Sequence, residues 1–252
     1  MKAKNSDWYK HGWSLDVKNQ SWTEDTENQV NFIIRTLQLK GNERILDLAC
    51  GYGRHALSFA KRGFWVVGVD ITKIYIEDAA QTAKENGLNA QFIQEDIRNL
   101  SYKNEFDVVL NLADGAVGYL ENDAENLKIF DTISNALKVG GKHFMDICNA
   151  EHAELYFPRA NWEAGKEALA LSQFDWDPAS RRMLFGGCDI PYGAPLSKPD
   201  IPAGDPTRLY SAKEIAEIFS ARSMKVESTF SDYYGTESSS KFLQLLVVST
   251  KI

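Results

Sequence analysis

Cysteine is scarce in this chain and proline is confined. Three cysteines, Cys50, Cys148 and Cys188, stand far apart among 252 residues. An odd number at wide spacing argues against a disulfide framework, and no His/Cys spacing of a metal site appears, so no metal is expected. Reduced thiols of this kind suit a cytoplasmic protein. Long apolar runs are missing too. The longest are stretches such as FWVV at 64–67, far short of a membrane span. No apolar run follows the lysines of the opening MKAKNSDWYKHGWSLD, so no signal peptide is expected. Positive charge is also short. A net charge of −7 leaves no broad basic surface for duplex DNA or long RNA. Proline is absent from residues 1–157 and 207–252, and all seven prolines lie between Pro158 and Pro206.

What is present alternates. An aromatic opening (Trp8, Tyr9, Trp13, Trp22) precedes TENQVNFIIRTLQLKG, where Val30, Ile33, Ile34 and Leu37 share one helical face and Gly41 is the expected stop. Strands are expected at ERILDLA, FWVVGVD, AQFIQED, FDVVLNL and KHFMDICN. Helices are expected between them: RHALSFAKRG, a Thr72-capped TKIYIEDAAQTAKENG, and DAENLKIFDTISNALKVGG closing on glycine. Short apolar strands alternating with helices predict right-handed crossovers and a parallel sheet covered on both faces. In the proline-bearing region, ALALSQFDW and RRMLFGGCDI flank Asp177-Pro178-Ala179-Ser180 as a hairpin, followed by a long loop over 191–206. A last helix carries the capping box Ser211/Glu214. The two final strands, with only GTESSS between them, should be antiparallel neighbours.

The chemistry concentrates at LDLACGYGRH, residues 46–55. A strand runs into glycines and then a helix, as around a bound nucleotide. Read loosely, Gly51-x-Gly53-x-x-Ala56 with Asp70 downstream fits a dinucleotide fingerprint as well as other nucleotide sites. A short-chain dehydrogenase would need a tyrosine followed four residues later by lysine, and none of the ten tyrosines has one.

Four features resemble the class I S-adenosylmethionine-dependent methyltransferase family. The glycine motif stands as Asp47-Leu-Ala49-Cys-Gly51-Tyr-Gly53, with an acid before the glycines and Ala49 in place of the family's first glycine. GFWVVGVDIT matches the family's second strand, FIQEDIRNL its adenine segment, and FDVVLNLADGAVGYL the strand and loop beneath the sulfonium. The resemblance implies a Rossmann-like α/β fold. Its sheet has seven mostly parallel strands with one antiparallel, helices on both faces, and a β-hairpin and loop cap insertion. It implies one domain over 1–252, divided into an N-terminal aromatic arm and helix (1–40), a cofactor-binding core (41–150), the cap (151–207) and a C-terminal helix with two strands (208–252).

The resemblance also implies S-adenosyl-L-methionine as cofactor. Asp47 would face the methionyl amino group, and Gly51 and Gly53 would let the backbone approach the ligand. Arg54 would lie near the methionine end. Asp70, with Ile71 beside it, would accept from the ribose hydroxyls. Asp96 would accept from the adenine amino group, with Ile97 covering the ring. Asn111 and Leu112 would lie beneath the sulfonium. Tyr9 is the first candidate for an aromatic near the sulfonium. His152 and Asp114 are candidates for a base, and Trp13, Tyr119 and Arg208 for contacts with substrate. His143 inside its strand reads as structural, and His55 as a cap or cofactor-lining residue. No Pro-Pro-aromatic follows Asn111, as amino-group nucleic-acid methyltransferases carry. The expected acceptor is therefore an O or N, a carboxylate included, of a small molecule or peptide, with no nucleic acid and no membrane as partner. A non-catalytic module that binds the same cofactor is the first alternative, and a nicotinamide-dependent dehydrogenase the second.

Overall fold

The computed structural model describes residues 1–20, 23–195, 197–201 and 203–252, so Trp22 of the aromatic opening lies outside the described residues. The chain begins with β1 (Lys2–Ala3) and two single-turn 3-10 helices, Trp8–Lys10 and Leu15–Asn19. Then follow α1 (Thr26–Leu37), β2 (Arg44–Leu48), α2 (Arg54–Lys61), β3 (Trp65–Asp70), α3 (Lys73–Glu85), β4 (Ala90–Gln94), β5 (Phe106–Asn111), α4 (Asp123–Ala136) and β6 (Leu137–Cys148). The cap region holds α5 (Ala150–Tyr156), β7 (Arg159–Ala164), β8 (Ala168–Asp177), β9 (Arg182–Pro191) and β10 (Ala203–Arg208). The chain closes with α6 (Ala212–Ser220), β11 (Met224–Phe230) and β12 (Gln244–Lys251).

Seven strands form the main sheet in the order β11-β12-β6-β5-β2-β3-β4. β5, β2, β3, β4 and β6 run parallel, while β12 is antiparallel to both β6 and β11. Side chains alternate across the pleat, so each central strand feeds two cores. Leu46, Leu48, Val67, Val109 and Met145 pack on Ile129, Phe130, Ile133 and Phe219 of α4 and α6. Ile45, Val66, Val108, Leu110 and Phe144 pack on Val30, Ile33 and Phe59 of α1 and α2. At about 25 cal/mol per Å² of apolar area, these two layers are the main stabilising term.

Several boundaries differ from the sequence-based expectations. α1 ends at Leu37, not at Gly41, because Gln38 adopts the left-handed conformation (φ 53°) and its N–H closes the last turn. Thr72 occupies the N-cap of α3 without a side-chain cap; the Asp70 carboxylate accepts its N–H instead, at 2.8 Å. α4 stops at Ala136 because Leu137 is captured into β6, paired with Phe106 of β5, so 137–141 are strand rather than helix. The capping box of Ser211 and Glu214 is present.

The cap is larger than a hairpin. β8 and β9 pair through the turn at 178–181, where Asp177 accepts from Ala179 N and from the Ser180 hydroxyl. They belong to a second sheet in the order β1-β10-β9-β8-β7. The end of the expected 191–206 loop is therefore strand β10. Pro206 lies past the two residues that β1 covers, on an edge where its missing N–H is tolerated. The N-terminus is tied into this sheet: the Met1 ammonium meets Asp175 at 2.5 Å, and Lys4 N donates to Gly204 O.

Candidate active site

The carboxyl edge of a parallel sheet is where helix N-termini and loops open a crevice. Here it holds a cavity of about 540 Å³, a size that suits a small-molecule or cofactor site. Asp47 near the end of β2, Asp70 at the end of β3 and Asp96 just after β4 come from three adjacent strands, and all three line it. Ala49, Gly51, Arg54, Ile71, Ile97 and Leu112 line the same space.

The glycine loop is built by backbone chirality and close packing. Gly51 (φ 56°) lines the cavity, and a Cβ there would meet no protein atom within 4 Å. Gly53 does not line it. Its φ of 77° and the Phe92 ring, 2.7 Å from where a Cβ would stand, require glycine for packing rather than for ligand approach. Ala49 adopts a φ of 55°, a left-handed conformation that costs an alanine roughly 1 kcal/mol or more.

Each acid has its own environment. Asp47 is 1% exposed; its Oδ2 has no hydrogen-bond partner, and the Ala56 backbone N–H donates to the carboxyl. Burial pushes its carboxyl up to about 7, with Arg54 opposing the rise. Asp70 accepts from Gly51 N at 2.9 Å and from Thr72 N, which ties the end of β3 to the glycine loop. Asp96 is clamped by Arg98, whose Nε lies 3.0 Å from both carboxylate oxygens. Burial opposes the charge of Asp96, but the Arg98 hydrogen bonds outweigh it and hold the carboxyl below its usual range. Arg98 also reaches Glu121, Glu125 and the Tyr9 hydroxyl.

The N-terminal arm closes one side. Tyr9 is buried and donates its hydroxyl to Glu121 at 2.7 Å. Trp13 donates from Nε1 to Tyr9 O, and Tyr75 donates to Ser14 O. Tyr9, Trp13 and Val17 all line the cavity. Asp114 and Tyr119 line it from the loop after β5, where the Tyr119 hydroxyl and Cys148 N donate to the two Asp114 oxygens.

Four expected positions lie elsewhere. Asn111 is wholly buried behind the loop and donates to Gly115 O. His152 is buried on α5, stacked on Tyr156, with Nδ1 against Ser240 O; it does not line the cavity, so it is not placed to act as a base there. Arg208 is buried, pairs with Glu214 at 2.7 Å and does not line the cavity. Gly53 is the fourth, as above. No described residue of the cap, 151–207, lines the cavity. His143 is buried between Ser249 and Asn111, and burial holds its pKa down to about 3, so the ring is neutral. His55 does line the cavity, bonded to Gln29.

Sequence reasoning missed Asp146, Gln29, Leu243 and Gln244, which also line it. Asp146 lies near the carboxyl end of β6, a position that the edge rule could have flagged. Gln244 reaches Asp146 across 98 residues of sequence, at 3.1 Å, and carries no local signal. Among the described residues, no helix is long and apolar enough to cross a membrane.

Residues 39–194 match the family described as "Methyltransferase domain". The Ubiquinone biosynthesis O-methyltransferase of Rickettsia felis is 37% identical over 119 residues, 42% of this chain and 48% of that protein. The chain spans 64% or less of the length of three curated relatives it matches. In fold it is similar to the CcbJ methyltransferase of Streptomyces caelestis, with a TM-score of 0.76 at 15% identity over 95% of this chain and 93% of that one. It is also similar to the Burkholderia thailandensis 1,6-didemethyltoxoflavin-N1-methyltransferase, solved with bound 1,6-didemethyltoxoflavin and S-adenosylhomocysteine. That match has a TM-score of 0.59 at 15% identity and covers 91% of this chain and 80% of that one.

Proposed function

The chain belongs to the class I S-adenosylmethionine-dependent methyltransferase family, and on that premise we propose that it transfers a methyl group from S-adenosyl-L-methionine to an oxygen or nitrogen of a small molecule or peptide. The observation that carries this reading is Asp47 Oδ2, buried without a partner in the cavity wall. A carboxylate there repels a pyrophosphate and suits an ammonium, which separates this cofactor from a dinucleotide. Asp70 ends the next strand and Asp96 follows the one after it, both on the cavity, which supports their meeting a ribose diol and an adenine amino group.

When bound, the cofactor supplies a methyl group on a positively charged sulfur, already a good electrophile. The protein's work is to hold and to exclude. Asp47 would take the methionyl ammonium, Asp70 the ribose hydroxyls with lone pairs not engaged by Gly51 and Thr72, and Asp96 the adenine edge with Ile97 against the ring. Tyr9 and Trp13 would keep water from the reacting centre and offer π faces to positive charge. Placing nucleophile and methyl in line is the larger part of the acceleration. The net charge of −7 supports a small-molecule or peptide acceptor over a nucleic acid. The assignment of one domain over 1–252 with its cap at 151–207 belongs to the same proposal.

Calorimetry with S-adenosylmethionine and S-adenosylhomocysteine tests it. Binding in the micromolar range is expected, and Asp70→Ala or Asp96→Ala should weaken it by about tenfold or more. A folded protein that takes up neither ligand would refute the proposal.

A further inference from the structure

Besides the three strand-end acids, the cavity is lined by Tyr9 and Trp13 of the arm, Asp114 and Tyr119 of the loop after β5, and Asp146 and Cys148 of β6. Its charge is one-sided. Six carboxylates line the cavity as a whole, three of them the donor-side acids and two of them Asp114 and Asp146. No lysine lines it among the described residues, and its single arginine, Arg54, is engaged by Thr26 and Gln29 at 2.7 Å each. Arg208, the cation that sequence reasoning offered to an acidic substrate, is committed to Glu214. Among the described residues, Asp47 Oδ2 is the carboxylate oxygen of the cavity that is buried without a hydrogen-bond donor.

An anionic acceptor would face two carboxylates, Asp114 and Asp146, with Arg54, held by Thr26 and Gln29 and interacting electrostatically with Asp47 and Asp146, as the one cation of the lining among the described residues. A cation would find both carboxylates and three aromatic rings, Tyr9, Trp13 and Tyr119, the last backed by Trp8 at 4.8 Å. Ring faces attract cations by about 0.5–2 kcal/mol each. The acids are held firmly in place. Four successive residues, Ala113 to Ala116, have φ between 51° and 67°, a left-handed turn that sets Asp114 on the cavity wall. Asp114 N donates to Asp146 O at 2.8 Å, so the two acids are fixed to one another through the backbone. Their carboxylates are oriented by Tyr119 and Cys148 N on one side and by Tyr233 and Gln244 on the other.

We propose that the methyl acceptor is an amine, drawn in as its cation by Asp114 and Asp146 and seated among Tyr9, Trp13 and Tyr119. This rests on the methyl-transfer reading above and narrows its acceptor to nitrogen. A proton leaves the ammonium for one of the two carboxylates, and the freed nitrogen lone pair forms the N–C bond. The methyl–sulfur bond breaks as it does so, its electron pair stays on sulfur, and the positive charge passes from sulfur to nitrogen. The methylated ammonium then leaves, or loses a further proton to water. Burial raises both carboxyls, Asp146 to about 6, which brings them nearer to a proton acceptor's working range.

The test uses matched acceptors that differ only in the terminal group: benzylamine, benzyl alcohol and phenylacetate, with their longer-chain homologues. Binding is followed by calorimetry with S-adenosylhomocysteine present, and turnover with labelled S-adenosylmethionine. The amines should exceed their alcohol and carboxylate partners by about tenfold or more in affinity or kcat/KM. Asp114→Asn should weaken amine binding by a similar factor while leaving the affinity for S-adenosylhomocysteine unchanged, and Asp114→Glu should recover part of the loss. The wild-type preference alone decides the matter if a variant fails to fold. Preference for the alcohol or carboxylate, no binding of any amine, or unchanged amine affinity in Asp114→Asn overturns the proposal. Failure of the methyl-transfer reading registers separately, as absence of S-adenosylhomocysteine binding to the wild-type protein.

Discussion

Gly118 and Arg208 are locked together through their backbones: Arg208 N donates to Gly118 O at 2.8 Å, and the Arg208 carbonyl lies where a Cβ on Gly118 would stand. This contact joins the end of β10 to the loop that carries Asp114 and Tyr119. It is also the reason Arg208 is held in the core beside Glu214. Gly118, with φ 89°, has neither the space nor the backbone conformation for a side chain. Gly118→Ala should therefore cost more than about 3 kcal/mol and displace the Asp114 loop. Denaturant unfolding checks this, and a loss below about 1 kcal/mol would contradict it.

Ala49 carries the opposite expectation. Its left-handed φ of 55° suits glycine. Ala49→Gly relieves that strain, partly offset by the freer unfolded chain. A net gain of up to about 1 kcal/mol, or about 2–4 °C in Tm, is expected from calorimetric melting.

The pH dependence of cofactor binding should follow Asp47, whose carboxyl burial raises to about 7. In the free protein it holds a proton below that pH, and a bound ammonium demands the ionised form. Binding should then release a proton and weaken as pH falls through 7, by up to about tenfold per pH unit. Titrations in buffers of different ionisation enthalpy measure the release, and Asp47→Asn should abolish it. Stability runs with the opposite sign. The unfolded carboxyl ionises near 3.8 while the native one keeps its proton to about 7, so the unliganded protein loses stability as pH rises through that window.

Tyr9→Phe keeps the ring on the cavity and removes the hydroxyl bond to Glu121. A stability loss of about 1 kcal/mol is expected with cofactor affinity nearly unchanged. Tyr9→Ala, which opens the wall, should instead lower kcat by letting water in. Equal turnover in the two variants would rule out a role for the ring.

Periodicity and local chemistry made the core legible. Short apolar strands, amphipathic helices and an acid at or just past the end of each of three strands are properties of contiguous residues, so the parallel sheet and the cavity-lining acids Asp47, Asp70 and Asp96 could be read from the chain alone. The cap sheet could not be. It depends on pairing β1 with β10 and β10 with β9, contacts between segments about 200 and 20 residues apart. Other parts of the cavity lining were likewise hidden, because Asp146, Gln244 and the arm residues meet only when β12 inserts antiparallel beside β6 and the N-terminus folds across the edge. Sequence alone decided which residue types stand at the strand ends. Tertiary packing decided which of the polar candidates face the cavity: Asp114 does, held by a left-handed turn, while Arg208 pairs with Glu214 in the core, where an unpaired charge is costly to bury, and His152 is buried on α5 with Nδ1 against Ser240 O and Nε2 without a partner.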